Sequence, residues 1–353
     1  MAVTDFERRR NDILETIIEA YISTASPVGS ELISHKMRQG LSSATIRNVM
    51  AELEKEGLLE QPHTSAGRVP TDRGYRVYVN SLKDTCRLTP DEAERLGQIA
   101  QLEGPELERF FEDVGQALSR LSRQATFVLA PTVRQSTIKQ IELMPVGLRK
   151  LLCVLVGQEA IIASHVVEIE EPISRDEALS LAHFLNTELV GLPIAELLQS
   201  LERRLLAVND SLYYLVKRSL TILELALATE PTEHFYVEGA AYLFEQPEFR
   251  KDPLKAHELL RQLELHQELV MRMRHDLLAQ ETTVRIGREV AIDGLSDCSY
   301  ILAPFGIHQT VLGGIGVLGP RRMDYRRMRA LVEGVAGLVT EALSHGESEP
   351  NDE

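Results

Sequence analysis

Between Ser43 and Gly57 the apolar side chains Ile46, Val49, Met50 and Leu53 fall at positions i, i+3, i+4 and i+7. That spacing lays one apolar stripe along a helix and leaves the opposite side polar. What surrounds the stripe narrows the fold further. Upstream, Ile13, Leu14, Ile17, Ile18 and Tyr21 predict a helix over Asp5–Thr24, broken by Ser26-Pro27-Val28-Gly29. A short second helix is expected over Glu31–Arg38, capped by Ser30 and stopped by Gly40 as a left-handed residue. Ser42 and Ser43 are both candidates to cap the third helix. Downstream, Leu58-Leu59 and Val69-Pro70 read as two strands joined through a hairpin tip, His63-Thr64-Ser65-Ala66-Gly67-Arg68. Thr71 then caps a helix carrying Tyr75, Tyr78, Val79 and Leu82. The order helix, helix, turn, helix, hairpin predicts a winged helix-turn-helix, against the alternative of a small helical bundle with a hairpin appended.

The polar side of the third helix presents Ala44, Thr45, Arg47, Asn48, Ala51 and Lys55. Arginine can bond guanine O6 and N7 with two prongs, asparagine can do the same at adenine N6 and N7, and small residues let a helix approach a thymine methyl. These positions lie near the helix N-terminus, the end that enters the major groove in helix-turn-helix proteins. The DNA-contact candidates are therefore Ser43, Ala44, Thr45, Arg47 and Asn48 on the helix, with His63 and Arg68 on the hairpin and Arg73 and Arg76 beyond it. An Arg beside glycine at a hairpin tip can reach a phosphate or a minor groove. The plainer alternative is a solvated helix face, with Arg73 and Arg76 as the polar side of the 72–82 helix. Arg8, Arg9 and Arg10 are open to the same two readings.

A net charge of −15 at first argues against nucleic acid, but the charge is uneven. Residues 1–83 hold 11 Lys/Arg and 11 Asp/Glu, so the rest of the chain carries the whole excess. A neutral head with local arginines can bind phosphate while an acidic body disfavours loose adhesion.

Beyond a linker at 83–88, Thr89-Pro90-Asp91-Glu92 forms a capping box, and helices are expected over about 90–103 and 105–124. The period then changes to strands at Thr126–Ala130, Thr137–Met144, Arg149–Val156 and Ala160–Ile169, the last three joined by short turns into a meander. From the capping box Ser174-Arg175-Asp176-Glu177 to about Gln280 the pattern is helical, interrupted by an extended piece at His234–Glu238. Strands return at Thr283–Ile286, Ser299–Pro304 and Thr310–Leu318, and a final helix runs over Tyr325–Leu343. Because hairpin-sized groups bury a face poorly alone, the expectation is one antiparallel sheet built from both groups, with a helical unit inserted between them. The leucine stripes of that insert, such as Leu197, Leu198, Leu201 and Leu205, are either its own core or a dimer interface, and dimerisation suits a two-fold DNA site.

Several features exclude other classes. Gly314-Ile315-Gly316-Val317-Leu318-Gly319 matches the dinucleotide fingerprint GxGxxG, yet its glycines alternate with apolar residues as in a strand, and Pro320 follows where a helix should start. No cofactor is expected there; close packing is. His257, His266 and His275 recur every nine residues, on opposite sides of a helix, so no shared metal is expected. Cys86, Cys153 and Cys298 are far apart and odd in number, which disfavours a disulfide framework or zinc site. Nothing assembles a nucleophile, base and oxyanion site, so an enzyme is not expected. With no apolar signal core and no membrane-length apolar run, the expectation is a cytoplasmic protein.

The run Pro27-Val28-Gly29-Ser30, the helix Ser43-Ala44-Thr45-Ile46-Arg47-Asn48 and the hairpin His63-Thr64-Ser65-Ala66-Gly67-Arg68-Val69-Pro70-Thr71 resemble the HrcA family of heat-inducible transcription repressors. So do Val237-Glu238-Gly239, Gln246-Pro247-Glu248-Phe249 and Gly319-Pro320-Arg321-Arg322-Met323-Asp324-Tyr325. The resemblance implies an α+β multidomain chain. Its parts would be a winged helix at 1–83, a GAF-like antiparallel sheet domain split over 89–170 and 281–345, and a mainly helical dimerising insert at 171–280; the polar tail at 346–353 is expected to be disordered from its composition. It also implies a homodimer that binds double-stranded DNA at an inverted-repeat operator of the CIRCE type and represses chaperone operons. A GroEL-type chaperonin would keep it active, and heat would relieve repression. The competing expectation is a winged-helix regulator controlled by a small ligand in its GAF-like domain.

Overall fold

The computed structural model describes residues 5–37, 41–63, 66–82, 88–100, 107–130, 137–157, 162–207, 210–228, 234–307 and 310–345. The expected Gly40 stop, the hairpin-tip residues Thr64 and Ser65, nearly all of the 83–88 linker and the 346–353 tail lie outside these residues.

The N-terminal unit begins with α1 (Asp5–Thr24), α2 (Ser30–Lys36) and α3 (Ser43–Lys55). A two-residue hairpin of β1 (Leu59–Glu60) and β2 (Val69–Pro70) and then α4 (Asp72–Ser81) complete it. The Ile13, Leu14, Ile17 and Ile18 side of α1 and the Ile46, Val49, Met50 and Leu53 side of α3 close on one another in a common core. Leu53 is fully buried, a transfer worth about 1.5–3 kcal/mol. Of the two candidate caps for α3, Ser42 takes the position, its Oγ accepting from the Thr45 amide at 3.1 Å. Ser30 does not cap α2 as expected. It opens the helix, and its hydroxyl shares a hydrogen bond of 2.9 Å with that of Ser43. Gly57, at φ +73°, ends α3.

Next come α5 (Pro90–Ala100), α6 (Leu107–Ser122) and β3 (Ala125–Ala130). A meander of β4 (Ile138–Gly147), β5 (Lys150–Gly157) and β6 (Ile162–Glu168) leads into α7 (Arg175–Leu189), α8 (Ile194–Ala207) and α9 (Asp210–Ala228). Strand β7 (His234–Glu238) precedes α10 (Ala241–Glu245), α11 (Pro247–Arg250), α12 (Pro253–Leu265) and α13 (Gln267–Leu277). The chain closes with β8 (Thr283–Ile286), β9 (Cys298–Ile307), β10 (Thr310–Pro320) and α14 (Tyr325–His345).

The expected single sheet is two. One has five antiparallel strands in the order β7-β3-β10-β9-β8, and the other is the meander β4-β5-β6. The physical reason is that the meander finds its cover locally. Its inward residues, among them Ile141, Leu151, Cys153 and Leu155, pack on Leu181, Leu185 and Leu197 of α7 and α8. Asn186 of α7 fastens the two layers, bonding both the amide and the carbonyl of Ile141. The meander therefore belongs with the first helices of the insert rather than with the sheet that β3 joins. Likewise, His234–Glu238 does not merely interrupt a helical insert; it is the edge strand beside β3, with Phe127 opposite Val237.

Every residue of β3 is buried, as a strand covered on both faces requires. Val128, Ile301, Phe305, Ile315 and Val317 face Phe111 and Leu118 of α6 and Leu331 and Val335 of α14. Phe127, Leu129, Tyr300 and Leu302 face Leu259, Val270, Met273 and Leu277 of α12 and α13. Among them, Asp276 of α13 has no exposed side-chain area. Arg285 of β8 grips its carboxylate with two nitrogens, and the Tyr300 hydroxyl donates to it as well. Burial pushes the Asp276 carboxyl up, but the hydrogen bonds from Arg285 and Tyr300 and the charges of Arg285 and Arg272 outweigh it and hold the group below the ordinary aspartate range.

Candidate nucleic-acid interface

The capped start of α3 determines what its first two turns show to solvent. With Ile46, Val49 and Met50 turned into the core, Ala44, Thr45, Arg47 and Asn48 are exposed and Ser43 is half-buried. The Ser42 and Thr45 hydroxyls are 2.9 Å apart, and the Ser34 hydroxyl donates to the Leu41 carbonyl at 2.8 Å, so Leu41 and Ser42, just ahead of α3, are tied to α2 and to α3. Among the described residues nothing pairs with the side chains of Arg47 or Asn48, and both residues are exposed.

The hairpin is tied to the same unit. Arg68 and Val28 exchange two backbone hydrogen bonds of 2.9 Å each, which fixes the returning strand to the α1–α2 connection. Gly67 makes that approach possible, since a Cβ there would lie 2.4 Å from the Val28 carbonyl. The Gln61 side-chain amide donates to the Ala66 carbonyl at 3.1 Å, and His63 is exposed.

The nine candidate residues thus separate into groups. Ser43, Ala44, Thr45, Arg47 and Asn48 share one end of α3, and His63 projects from the hairpin. Arg68 is engaged elsewhere, with its guanidinium on the Glu54 carboxylate of α3 at 2.9 Å. Arg73 is exposed and donates to the Glu56 carbonyl at the end of α3, at 3.0 Å. Arg76 reaches across to the sheet, donating to Glu289 at 3.0 Å and to the Val284 carbonyl at 2.6 Å. Of the ambiguous N-terminal arginines, Arg10 pairs with Glu56 at 2.7 Å. Sequence reasoning missed the acidic partners Glu54, Glu56 and Glu289. For Glu54 a signal existed, because it lies on the third helix one residue beyond the stripe residue Leu53. For Glu289, 213 residues from Arg76, there was none.

Among the described residues no helix is long and apolar enough to cross a membrane, and no three His, Cys, Asp or Glu side chains are placed to hold a metal ion. The fingerprint-like glycines lie on β10 between β3 and β9, so they do not join a strand to a helix.

The chain has relatives along its whole length. It is 35% identical over 343 residues to the heat-inducible transcription repressor HrcA of Geobacter sulfurreducens, covering 97% of this chain and 99% of that one. The proteins of the same name from Symbiobacterium thermophilum and Natranaerobius thermophilus are 33% and 36% identical, covering 94% and 95% of this chain and 97% and 96% of theirs. Among solved structures, one titled as a hypothetical protein at 2.2 Å resolution superposes with a TM-score of 0.63 at 23% identity, over 98% of this chain and 99% of that one, which shows a shared fold. A family profile described as the HrcA protein C terminal domain matches residues 108–328. With that profile over most of its length and these relatives end to end, the chain belongs to the HrcA family of heat-inducible transcription repressors.

Proposed function

We propose that this repressor acts as a homodimer whose N-terminal winged helices read an inverted-repeat DNA operator, with the first half of α3 in the major groove and the β1–β2 hairpin as the wing. One observation carries the reading. Arg47 and Asn48 stand exposed, side by side, with no side-chain partner among the described residues, on a helix whose other face is committed to the core. Those two side chains have the donor and acceptor sets that discriminate guanine and adenine. Ala44 and Thr45 add little bulk, so the backbone can come close to the base edges. His63 on the wing is within the same unit and supplies a further polar contact to the sugar-phosphate chain.

On this reading Arg68 and Arg73 act differently from Arg47. They join the wing and α4 to the far end of α3, and Arg76 joins α4 to the sheet, so their influence on DNA is through position. Family membership extends the proposal to chaperone operons as targets, release on heat stress and a GroEL-type chaperonin as modulator, with no catalytic step.

The test is a fluorescence-anisotropy titration of the full chain on an inverted-repeat duplex recovered by selection from random fragments. Arg47→Ala is expected to cost about 1–3 kcal/mol of binding and to relax base preference at one position of each half-site. Wild-type affinity in both Arg47→Ala and Asn48→Ala would overturn the assignment of α3.

A further inference from the structure

The N-terminal unit meets the sheet domain along a seam in which a shared apolar core, including Tyr75, Tyr78, Met323, Tyr325 and Met328, is flanked by charged bridges. Asp72 opens α4, and its carboxylate accepts from Arg321 Nη1 at 2.9 Å and from the Arg288 amide at 3.0 Å. The second arm of Arg321 holds Asp297 at 3.0 Å, so this guanidinium bridges the two units. One turn further along α4, Arg76 holds Glu289. At the far end of α1, Arg322 donates to the Ile22 carbonyl at 3.2 Å while its other nitrogens grip Glu248 and Gln246. Arg326 adds a bridge of 3.1 Å to Glu15. Across the seam Tyr75 packs against Tyr325, with ring centroids 5.7 Å apart.

Seams between units of one chain ordinarily leave them free to swing unless the contact between them is extensive. Here the bridges are spread over two helices, at the C-terminal turn and middle of α1 and the first two turns of α4. A body held at several separated points cannot rotate about any one of them. Neither Arg321 nor Arg322 touches the exposed side of α3, so their effect on a bound duplex would pass through the orientation of the whole head.

We propose that this seam fixes the separation and angle at which a dimer presents its two α3 helices, making Asp72, Arg76, Arg321 and Arg322 positioning residues that decide which spacing between half-sites the protein accepts. The proposal rests on the DNA reading above. Inserting one base pair between half-sites turns one relative to the other by about 35° and moves it by about 3.4 Å. A head locked to its body cannot follow that displacement, whereas a head on a loose joint can. Spacing selectivity is thus a property of the seam, and base selectivity a property of α3.

The experiment uses the full chain and a series of duplexes that carry the selected inverted repeat with zero, one, two or three base pairs added at its centre. A duplex with a single half-site is the control. For the wild type, affinity should fall about tenfold for each of the first two insertions, as a misplaced contact set requires. In the double variant Arg321→Gln/Glu289→Gln the same insertions should cost about threefold or less, with single-half-site affinity unchanged. A variant that is merely less stable would lose affinity on every duplex alike. Glu289→Gln alone, which keeps the Arg321 bridges, gives the same readout with a smaller flattening, and it decides the matter where the double variant fails to fold. A flat wild-type profile, or a variant profile as steep as the wild type's, would overturn the proposal. If the wild type bound neither the repeat nor the half-site, the DNA reading would be the one to fall, and the seam's role with it.

Discussion

Arg47 and Arg285 are the same side chain in opposite circumstances. On the outward side of α3, Arg47 stands beside Asn48 with nothing among the described residues bonded to it. At the α13–β8 corner, Arg285 spends two donors on a carboxylate with no exposed side-chain area, which Tyr300 also serves. The first arrangement adds nothing to folding and leaves a fork of donors for a partner. The second satisfies a charge that would otherwise be costly to bury. Arginine count or local charge cannot separate the two; the acceptor within reach does.

The comparison is most severely tested at the buried end. Asp276→Asn removes the carboxylate that Arg285, Arg272 and Tyr300 face, and should lower unfolding free energy by about 3 kcal/mol in a urea titration. It should leave DNA affinity at low temperature as it was. Because the folded Asp276 carboxyl is held below its ordinary value of 3.8, its contribution is present above that pH and is lost as pH falls through the lower folded value. Acid unfolding below pH 3.8 should therefore be shallower in Asp276→Asn than in the wild type.

Arg47→Ala should show the reverse pattern. The binding loss given above, about 1–3 kcal/mol, should come with an unfolding midpoint that does not move. Ser42→Ala lies between the two kinds of site, since it removes the cap that starts α3 and a hydroxyl bonded to Thr45; about 1 kcal/mol of stability should go, with a parallel fall in operator affinity. The smallest effect belongs to Glu54 and Arg68. A double-mutant cycle with Glu54→Ala and Arg68→Ala should return a coupling of about 0.2–1 kcal/mol, as for other partly exposed pairs. If Arg68 instead met a phosphate, Arg68→Ala would reduce the slope of affinity against salt by about one counterion.

How much of this could be read from the chain depends on the range of the interaction. The stripe at Ile46, Val49, Met50 and Leu53 and the caps at Thr71 and Ser174 act within three to seven residues, and each lies where its spacing predicts. The exposed group Ala44, Thr45, Arg47 and Asn48 follows from that stripe, being its complement. The partition of strands does not. Alternation in Leu151, Cys153 and Leu155 says that one face is buried but not by what, and α7 and α8 were nearer than the second strand group. The piece His234–Glu238 showed its extended character, while its partner β3 lies more than a hundred residues earlier. Arg76 had the look of a helix's wet side because its acceptors, Glu289 and the Val284 carbonyl, are remote in the chain. The run Gly319–Tyr325 marks the family in sequence, but the partners of Arg321, Arg322 and Tyr325, which are Asp72, the Ile22 carbonyl and Tyr75, lie 249 or more residues away in the chain.

The glycines of β10 carry a last consequence. A Cβ on Gly316 would come within 2.4 Å of the Phe127 ring, and one on Gly314 within 2.8 Å of Leu277. The volume those missing methyls leave is filled by an aromatic plate and a leucine, in the middle of the sheet rather than at its rim. A fingerprint for phosphate thus arises as a by-product of layering, in a place no nucleotide could enter without first evicting the neighbours for whose sake the glycines are there.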